Sequence, residues 1–475
     1  MMTRFLETYV WRPRIGFFGL VAGLAIVCAV TAQAQQPQPP AYRCREVIIP
    51  PGPDPDLPKI APIFRSTTDL SENEFDCLAW QDFIYFIWPA KAGQRGVPDP
   101  NLKLGAGGPT VWETYRTDET IFLPNGTDPG PWNQPQLMAT LHPSLAAQVS
   151  SGAVRHLTMT SKVSRGVLAN ILLSGAVLPP PVLDGITEAG GGTLYDLDGF
   201  PVYYEVSTDQ VEYDYITKNK LYNAYDQVSF ARDNVIDLPR GATASTAGAV
   251  EIKAAWKVLS DAEKKSGHFY IVQALLGGSK TPVTVGLVGF HAFIATAGQG
   301  AWATFALADN APMQHPATSG TFNFFNPQCK VTGTSTPCPI NVKDADPGQV
   351  VQITPDAAAA DQLNAYVHYQ LHQYDANSPW QFYNLVDVQW PLNPVLLSTL
   401  KAPATLPLPD GTPNVPTLVN AVLETFLQKP NMSCMTCHQF ASTAATGINQ
   451  PPYGTSYSFI FGEATALPTL PAPPK

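Results

Sequence analysis

The sequence predicts an α+β protein, in which a central antiparallel, sandwich-like β core lies between an N-terminal helical and loop-rich region and a C-terminal helical region. Three observations lead to this fold class. Apolar residues recur at helical spacing over residues 71–88, alternate with a period of two in much of residues 193–312, and return to helical spacing after residue 354. The 47 prolines and 35 glycines among 475 residues indicate many turns and long ordered loops.

Composition limits the classes of protein to which this chain can belong. Hydrophobic residues make up 45% and charged residues 14% of the chain, which argues against intrinsic disorder. Lys and Arg number 28 against 38 Asp and Glu, so the formal net charge is −10. Nucleic acid requires a basic protein face, and this acidic balance therefore argues against a nucleic-acid partner. A chain longer than about 300 residues usually has more than one core.

The N-terminus has the pattern of a secretory signal peptide. Three arginines within the first fourteen residues precede an uncharged run over residues 15–30, and Ala32-Gln33-Ala34 supplies a small-x-small cleavage site. We therefore expect residues 1–34 to be removed on export to the periplasm or the medium. The alternative is an uncleaved membrane anchor, although the run is a little short for a spanning helix.

Residues 35–185 are predicted to form the helical and loop-rich region. Ser71-Glu72-Asn73-Glu74 is a capping-box sequence, and apolar residues follow at helical spacing as far as Trp88, where Pro89 ends the helix. Two shorter helices are predicted over residues 141–149 and 163–173.

Residues 186–350 are predicted to form the β-rich core. Apolar or alternating runs in this region indicate strands over residues 200–206, 250–259, 268–276, 282–295 and 301–308. A Gly-Gly-Ser-Lys loop at residues 277–280 joins two of these runs as a hairpin. Within the second run, Glu251 is interpreted as a partner of Lys253 rather than as a pocket residue.

Residues 351–475 are predicted to form the C-terminal helical region. Thr354-Pro355 supplies an N-cap and a proline at the first helical position, and an apolar stripe follows as far as Tyr374. A second helical stripe is predicted from Val419, Val422, Leu423 and Phe426. Ser433 is expected to cap a further helix, which carries a cysteine motif.

That motif, Cys434-Met435-Thr436-Cys437-His438, is the C-x-x-C-H sequence to which c-type haem is attached. Two thiols on one helical turn can add to the vinyl groups at one haem edge, and the adjacent imidazole can ligate the iron. We therefore predict one covalent haem c, bound by Cys434 and Cys437, with His438 as the proximal ligand. The alternatives are a redox-active dithiol and half of a zinc site. A redox-active dithiol would require a βαβ context, and a zinc site would require a second C-x-x-C. The sequence has neither.

The other cysteines suit an exported protein. Cys28 would leave with the signal peptide, and the even number that remains indicates disulfides in an oxidising compartment. Cys329 and Cys338 flank a short loop rich in Thr, Gly and Pro, so we expect them to be bonded to each other. Cys44 would then be bonded to Cys77.

We expect any protein ligand on the distal side of the haem to lie upstream of the motif, because residues 439–475 contain no Met or His. His368 and His372 have the i, i+4 spacing of a helix face, which we interpret as a solvated or core-edge face. Met313 is a further candidate. His291 is retained as the candidate for the distal side, because it lies in an apolar run where an unpaired imidazole would cost about 1–3 kcal/mol. A satisfied core histidine is the alternative.

Ten segments, spread over nearly the whole mature chain, are similar to one protein family. They are residues 79–84 (AWQDFI), 88–90 (WPA), 111–114 (VWET), 251–257 (EIKAAWK), 286–291 (GLVGFH), 302–305 (WATF), 309–312 (DNAP), 389–391 (QWP), 433–438 (SCMTCH) and 457–460 (YSFI). The family that they resemble comprises exported bacterial single-haem proteins, is usually called simply "cytochrome c family protein", and has no well-defined reaction.

The resemblance implies one integrated architecture with a C-terminal haem motif, in which Cys434 and Cys437 attach the haem and His438 ligates it. Where members of the family tend to have Glu-His, this chain has Ala306-Leu307. If that histidine is a ligand elsewhere, this chain lacks it, which favours either His291 or an open iron.

Three functions are compatible with these residues. The preferred one is an exported mono-haem cytochrome that exchanges single electrons with a redox partner protein or a small-molecule donor or acceptor. The second is a haem-dependent oxidoreductase, peroxidase- or oxygenase-like, with an open distal iron site. The third is a haem-based sensor, for which the sequence offers no separate output domain. The haem-attachment machinery is an expected partner, and a membrane is expected only through an uncleaved signal peptide.

Overall fold

The computed structural model describes residues 72–134, 149, 154–159, 192–241, 248–296, 299–313, 315–343, 345, 348–353, 358–444, 446 and 451–465. All of them belong to one structural unit, Pro40–Lys475. The predicted signal peptide and the helix predicted over residues 163–173 lie outside the described residues, as does all but residue 149 of the helix predicted over residues 141–149. None of the described helices is long and apolar enough to cross a membrane.

The described chain contains both helices and a large sheet, in agreement with the α+β class. The α-helices are α1 (Glu72–Phe86), α2 (Asp118–Ile121), α3 (Gln210–Lys218), α4 (Ala224–Asp233), α5 (Asp261–Ser266), α6 (Ala358–Tyr374) and α7 (Cys434–His438). The strands are β1 (Arg116–Thr117), β2 (Arg155–Leu157), β3 (Tyr203–Thr208), β4 (Val250–Val258), β5 (Ile271–Leu276), β6 (Val283–Ile294), β7 (Ala301–Leu307) and β8 (Tyr383–Gln389). Short 3-10 helices lie at Trp112–Thr114, Pro124–Gly126, Pro379–Phe382, Leu397–Thr399, Thr425–Leu427 and Phe459–Glu463.

The eight strands form one mixed sheet, in the order β1-β3-β4-β6-β5-β2, with β7 paired to β6 and β8 paired to β7. The pairing of β2 with β5 is parallel, and the other pairings are antiparallel. One edge of β6 pairs with β5 through residues 283–286 and with β7 through residues 289–294, so the sheet divides into two branches at this strand. Because the described strands form a single sheet, the sandwich-like arrangement is not confirmed.

The sheet contains strands from all three of the predicted regions. β1 and β2 come from the region predicted to be helical and loop-rich, and β8 comes from the predicted C-terminal helical region. Conversely, α3 and α4 lie within the region predicted to be β-rich.

The prediction of a helix from Val419 to Phe426 is wrong. The segment forms turns followed by the 3-10 helix Thr425–Leu427. Asn420 explains the difference, because its side chain bonds to the backbone of Val422 and of Phe305 at 3.0 Å each. Side-chain bonds of this kind compete with the backbone bonds of a helix.

The first and sixth helices confirm the predicted helical stripes. Phe83 of α1 is fully buried, and its ring stacks on Phe305 of β7 with the ring centroids 4.3 Å apart. Leu363, Val367 and Leu371 of α6 are fully buried in the same core. The two helices pack against each other and against β8, so the periodic apolar faces meet in one hydrophobic layer beside the sheet.

Cys329 and Cys338 form a disulfide with their Cα atoms 5.5 Å apart, as predicted. Cys77 of α1 is also disulfide-bonded. Its expected partner, Cys44, lies outside the described residues.

Candidate functional site

A cavity lies between one face of the sheet and the C-terminal part of the chain, and it encloses about 1190 Å³ of empty space when the part open to solvent is included. Side chains from β3, β4, β6 and β7 form the sheet side of the cavity. They are Val206, Glu251, Lys253, His291, Phe293 and Trp302. The opposite side is formed largely by residues of segment 419–438 and of the 3-10 helix Phe459–Glu463.

Strand register explains why these residues share a face. Lys253 of β4 lies opposite His291 of β6, and Glu251 lies opposite Phe293. Phe293 in turn lies opposite Trp302 of β7. Alternate residues of a strand point to the same side of a sheet, so a period of two in the sequence becomes a continuous cavity wall.

The cysteine motif forms the short helix α7, which borders this cavity. Ser433 caps the helix as predicted, because its Oγ accepts the backbone N–H of Thr436 at 3.4 Å. Cys434, Cys437 and His438 all line the cavity. The structure therefore brings together the three residues that the motif predicted as a site.

The imidazole of His438 has a fixed orientation. Its Nδ1 donates a hydrogen bond to the backbone carbonyl of Tyr457 at 2.6 Å. The ring packs against Phe459 and Trp302, with centroid distances of 5.0 and 5.8 Å. Burial lowers the pKa of His438 to about 4, so the imidazole is neutral at neutral pH. A neutral imidazole that donates through Nδ1 keeps the lone pair of Nε2 for a metal.

The carbonyl that receives this bond belongs to an unusual stretch of backbone. Ser456 and Tyr457 have φ values of 53° and 65°, a left-handed conformation that is uncommon for residues other than glycine. The Tyr457 side chain is fully buried, and its hydroxyl donates to the carbonyl of Pro409. Strained backbone is retained where the surrounding structure enforces it, often at functional sites. Here the strain accompanies the contact that orients His438.

The two thiols of the motif are not bonded to each other. Burial raises the pKa of Cys437 to about 12, and it also raises the pKa of Cys434, with a further contribution from the Glu424 carboxylate in each case. A redox-active C-x-x-C has a lowered thiol pKa, so this environment argues against the dithiol alternative. In the described part of the chain, no group of three His, Cys, Asp or Glu side chains has an arrangement suited to a bare metal ion.

Of the upstream candidates for the distal side, His291 lies in the cavity. His368 lies elsewhere, where its Nε2 donates to the Tyr383 carbonyl at 2.7 Å. His372 is exposed and contacts Gln381, with 2.9 Å between Nδ1 and Oε1. Met313 is 57% exposed and does not line the cavity. The interpretation of His368 and His372 as a core-edge helix face agrees with these contacts.

Glu251 and Lys253 both line the cavity, so the expectation that Glu251 is not a pocket residue is wrong. The expected pairing agrees with the electrostatic interaction between the two side chains. Glu251 Oε2 accepts a hydrogen bond from Ser458 Oγ, and burial raises the pKa of Glu251 to about 6. The Lys253 ammonium lies 6.0 Å from the centre of the Tyr204 ring, and burial lowers the pKa of this lysine. The alternation of polar residues with a period of two was the signal that could have placed both in a pocket.

Three further residues line the cavity but were not predicted from the sequence to be site residues. Trp302 and Phe459 lie in segments far apart in the chain, and no local pattern indicated that those segments meet. Glu424 lies in the segment that was wrongly predicted as a helix and had no signal of its own. Functional inference depends on the cavity and the motif, since no protein-family model, curated protein or solved structure matches this chain.

Proposed function

We propose that this chain is an exported mono-haem c-type cytochrome that transfers one electron at a time. The observation that carries the proposal is the presence of Cys434, Cys437 and His438 in one cavity, with the imidazole oriented by the Tyr457 carbonyl. The two cysteines would hold the haem covalently, and Nε2 of His438 would ligate its iron. When bound, the haem supplies one-electron chemistry between the ferric and ferrous states.

The residues present fit the chemistry of a haem group. The rings of Phe293, Trp302 and Phe459 give the cavity flat apolar walls, which suit a porphyrin face. Both motif thiols border the same space, and neither is used in a disulfide with the other.

The chain's own residues would perform three tasks at this site. The hydrogen bond from His438 to Tyr457 fixes the ring and increases the basicity of Nε2. The apolar rings exclude water, and such burial is one of the factors that set a haem potential. Lys253 supplies a basic side chain to the cavity, which would offset the negative charge of haem propionates.

Export is part of the proposal, since the first 34 residues have the signal-peptide pattern. The mature chain should begin near Gln35 and be recovered from periplasmic or secreted fractions. N-terminal sequencing tests this point. Recovery of Met1 or Met2 from a membrane pellet would favour the anchor instead.

A haem-dependent oxidoreductase is the second candidate, and one observation favours it. The cavity contains the polar side chains Glu251, Lys253, His291 and Glu424 in addition to its apolar walls. Carboxylate and imidazole groups beside an open iron site could move protons during substrate chemistry.

Absorption spectra distinguish the two candidates. Purified protein, oxidised and reduced, should show the bands of a c-type haem, which supports both of them. A six-coordinate low-spin spectrum that carbon monoxide does not change would support electron transfer. Rapid carbon monoxide binding would favour the oxidoreductase, and the absence of haem bands in protein made with the haem-attachment machinery would exclude both.

A further inference from the structure

A fully buried glutamate, Glu212, and a partly buried one, Glu251, lie in adjoining segments where β3 passes into α3. Glu251, the second residue of β4, lies opposite Thr208, the last residue of β3. Asp209 then caps α3, and its Oδ1 accepts backbone N–H groups from Glu212 at 3.0 Å and from Val250 at 3.1 Å. This shared cap ties the first turn of α3 to the start of β4, and the carboxyl groups of Glu212 and Glu251 interact electrostatically.

Glu212 has no exposed surface. Neither of its carboxyl oxygens has a hydrogen-bond partner among the residues that the structure describes. Placing an ionised carboxylate in such a position is very costly, and the group holds its proton instead. Burial, together with the charge of Glu251, raises the pKa of Glu212 well above its usual value. Glu212 is therefore a protonated carboxylic acid inside the fold.

Glu251 lies between the Glu212 carboxyl group and the cavity. Its side chain lines the cavity wall, where Ser458 Oγ donates to its Oε2. Burial raises the pKa of Glu251, while the Ser458 bond and the positive charge of Lys253 act in the opposite direction. Two interacting carboxyl groups titrate as a pair, so one of them holds a proton at a pH where the other is ionised.

We propose that Glu251 and Glu212 form a proton site that takes up one proton from the solvent when the cavity's haem gains one electron. This inference rests on the function proposed above, because the electron must arrive at a group bound in the cavity. The balance is one electron from the redox partner and one proton from the solvent. The proton converts the ionised carboxylate of the pair to a carboxylic acid, and no covalent bond other than O–H is formed.

The sign follows from electrostatics. An added electron places negative charge near the cavity wall, which disfavours a neighbouring carboxylate and raises the pKa of the pair. Other charged or titratable groups face the same space. They are Lys253 of β4, His291 of β6, Asp118 of α2, His438 of α7, Glu424 and Glu463, with Asp209 behind the pair. Among the carboxyls of the cavity wall, Asp118 is the main rival, since burial also raises its pKa.

The test is the midpoint potential of the haem-bearing protein between pH 5 and pH 9. In the wild type, the potential should fall with rising pH from about pH 6 upward. The slope should approach about 59 mV per pH unit, which is the value for one proton taken up with each electron. Glu251→Gln and Glu212→Gln should each flatten this slope, while Asp118→Asn, the matched control from the same cavity, should keep it.

A flat wild-type profile would overturn the proposal. So would an unchanged slope in both glutamine variants, or a slope lost in Asp118→Asn alone. Infrared titration of the carboxylic C=O stretch provides a readout that does not need haem. The wild type should show a protonated carboxylic acid at pH 7 that is missing in Glu212→Gln, and identical spectra would overturn the proton site. A protein with no haem bands but with this difference would contradict the proposed function alone.

Discussion

Nε2 of His291 lies 3.4 Å from Oε2 of Glu424, inside the cavity that the C-x-x-C-H motif also lines. Both side chains keep some exposure to this space, 18% for the histidine and 24% for the glutamate. The carboxylate offers the imidazole a polar neighbour, so His291 does not depend on iron for a favourable contact. Its place on the cavity wall nevertheless makes it, of the upstream histidines that the structure describes, the one best placed to meet a haem.

We predict that His291 lies on the distal side of the haem. His291→Ala should convert a low-spin spectrum to a high-spin one and open the iron to carbon monoxide. If the wild type is already high-spin, the variant should change the rate of carbon monoxide binding instead.

His368→Ala is the matched control for this prediction. Its imidazole is half-buried and hydrogen-bonded outside the cavity, so spin state and carbon monoxide kinetics should stay as in the wild type. A His291→Ala protein identical to the wild type in both properties would make His291 an ordinary core residue.

Local patterns in the sequence were sufficient for much of the fold and for the centre of the candidate site. The helical stripe of α6, the hairpin between β5 and β6 and the cap at Ser433 all follow from neighbouring residues. Cys434, Cys437 and His438 were found together because one helical turn holds them all.

Features that depend on contacts between residues far apart in the chain could not be predicted from the sequence. β8 joins the sheet through pairing with β7, some 80 residues earlier in the chain. The bond from His438 to Tyr457 depends on a left-handed backbone with no glycine to indicate it. Glu212 could be recognised as a buried carboxyl only after α3 had been placed against β4.

The Cys329–Cys338 disulfide closes an exposed loop, and its removal should lower the free energy of unfolding. In the chain-entropy model a loop of this size contributes roughly 2–3 kcal/mol. Denaturant titration of a Cys329→Ala, Cys338→Ala double variant should show a loss of this size. Peptide mapping without reductant should recover the linked pair, and free alkylation of both cysteines in the native protein would refute it.

Asp209 should make the protein less stable as the pH rises from about 4 to about 7. Burial raises its pKa to about 7 in the folded protein, whereas an unfolded chain releases the proton near pH 4. Between these values the folded state binds more protons, so the free energy of unfolding falls with rising pH, by roughly 3–5 kcal/mol for this group.

Asp209→Asn should remove this part of the decline, because asparagine keeps an oxygen for the two backbone bonds and does not ionise. Asp361→Asn, at an exposed position of α6, should leave the decline in place. Denaturant titrations at several pH values measure the effect. A decline equally steep in Asp209→Asn and in the wild type would contradict the assignment.

Gly289 of β6 permits the close approach of the segment that borders the cavity. A Cβ at this position would lie 2.5 Å from Val422 Cγ2, so Gly289→Ala forces strand and segment apart. Overpacking of this kind costs about 1–3 kcal/mol. Gly278→Ala, in the open loop between β5 and β6 with no atom within 4 Å of the added carbon, is the control. Equal unfolding free energies for the two variants would contradict the close packing.

The central claim is that a haem is covalently attached to the motif, and mass spectrometry of the denatured protein tests it most directly. The proteolytic peptide that contains Cys434 and Cys437 should carry the mass of one haem after denaturation and reduction. The haem should be lost from a Cys434→Ala, Cys437→Ala double variant and retained when Cys329 and Cys338 are replaced instead. Recovery of the wild-type peptide with both thiols alkylated and no haem, from cells that possess the attachment machinery, would contradict the account.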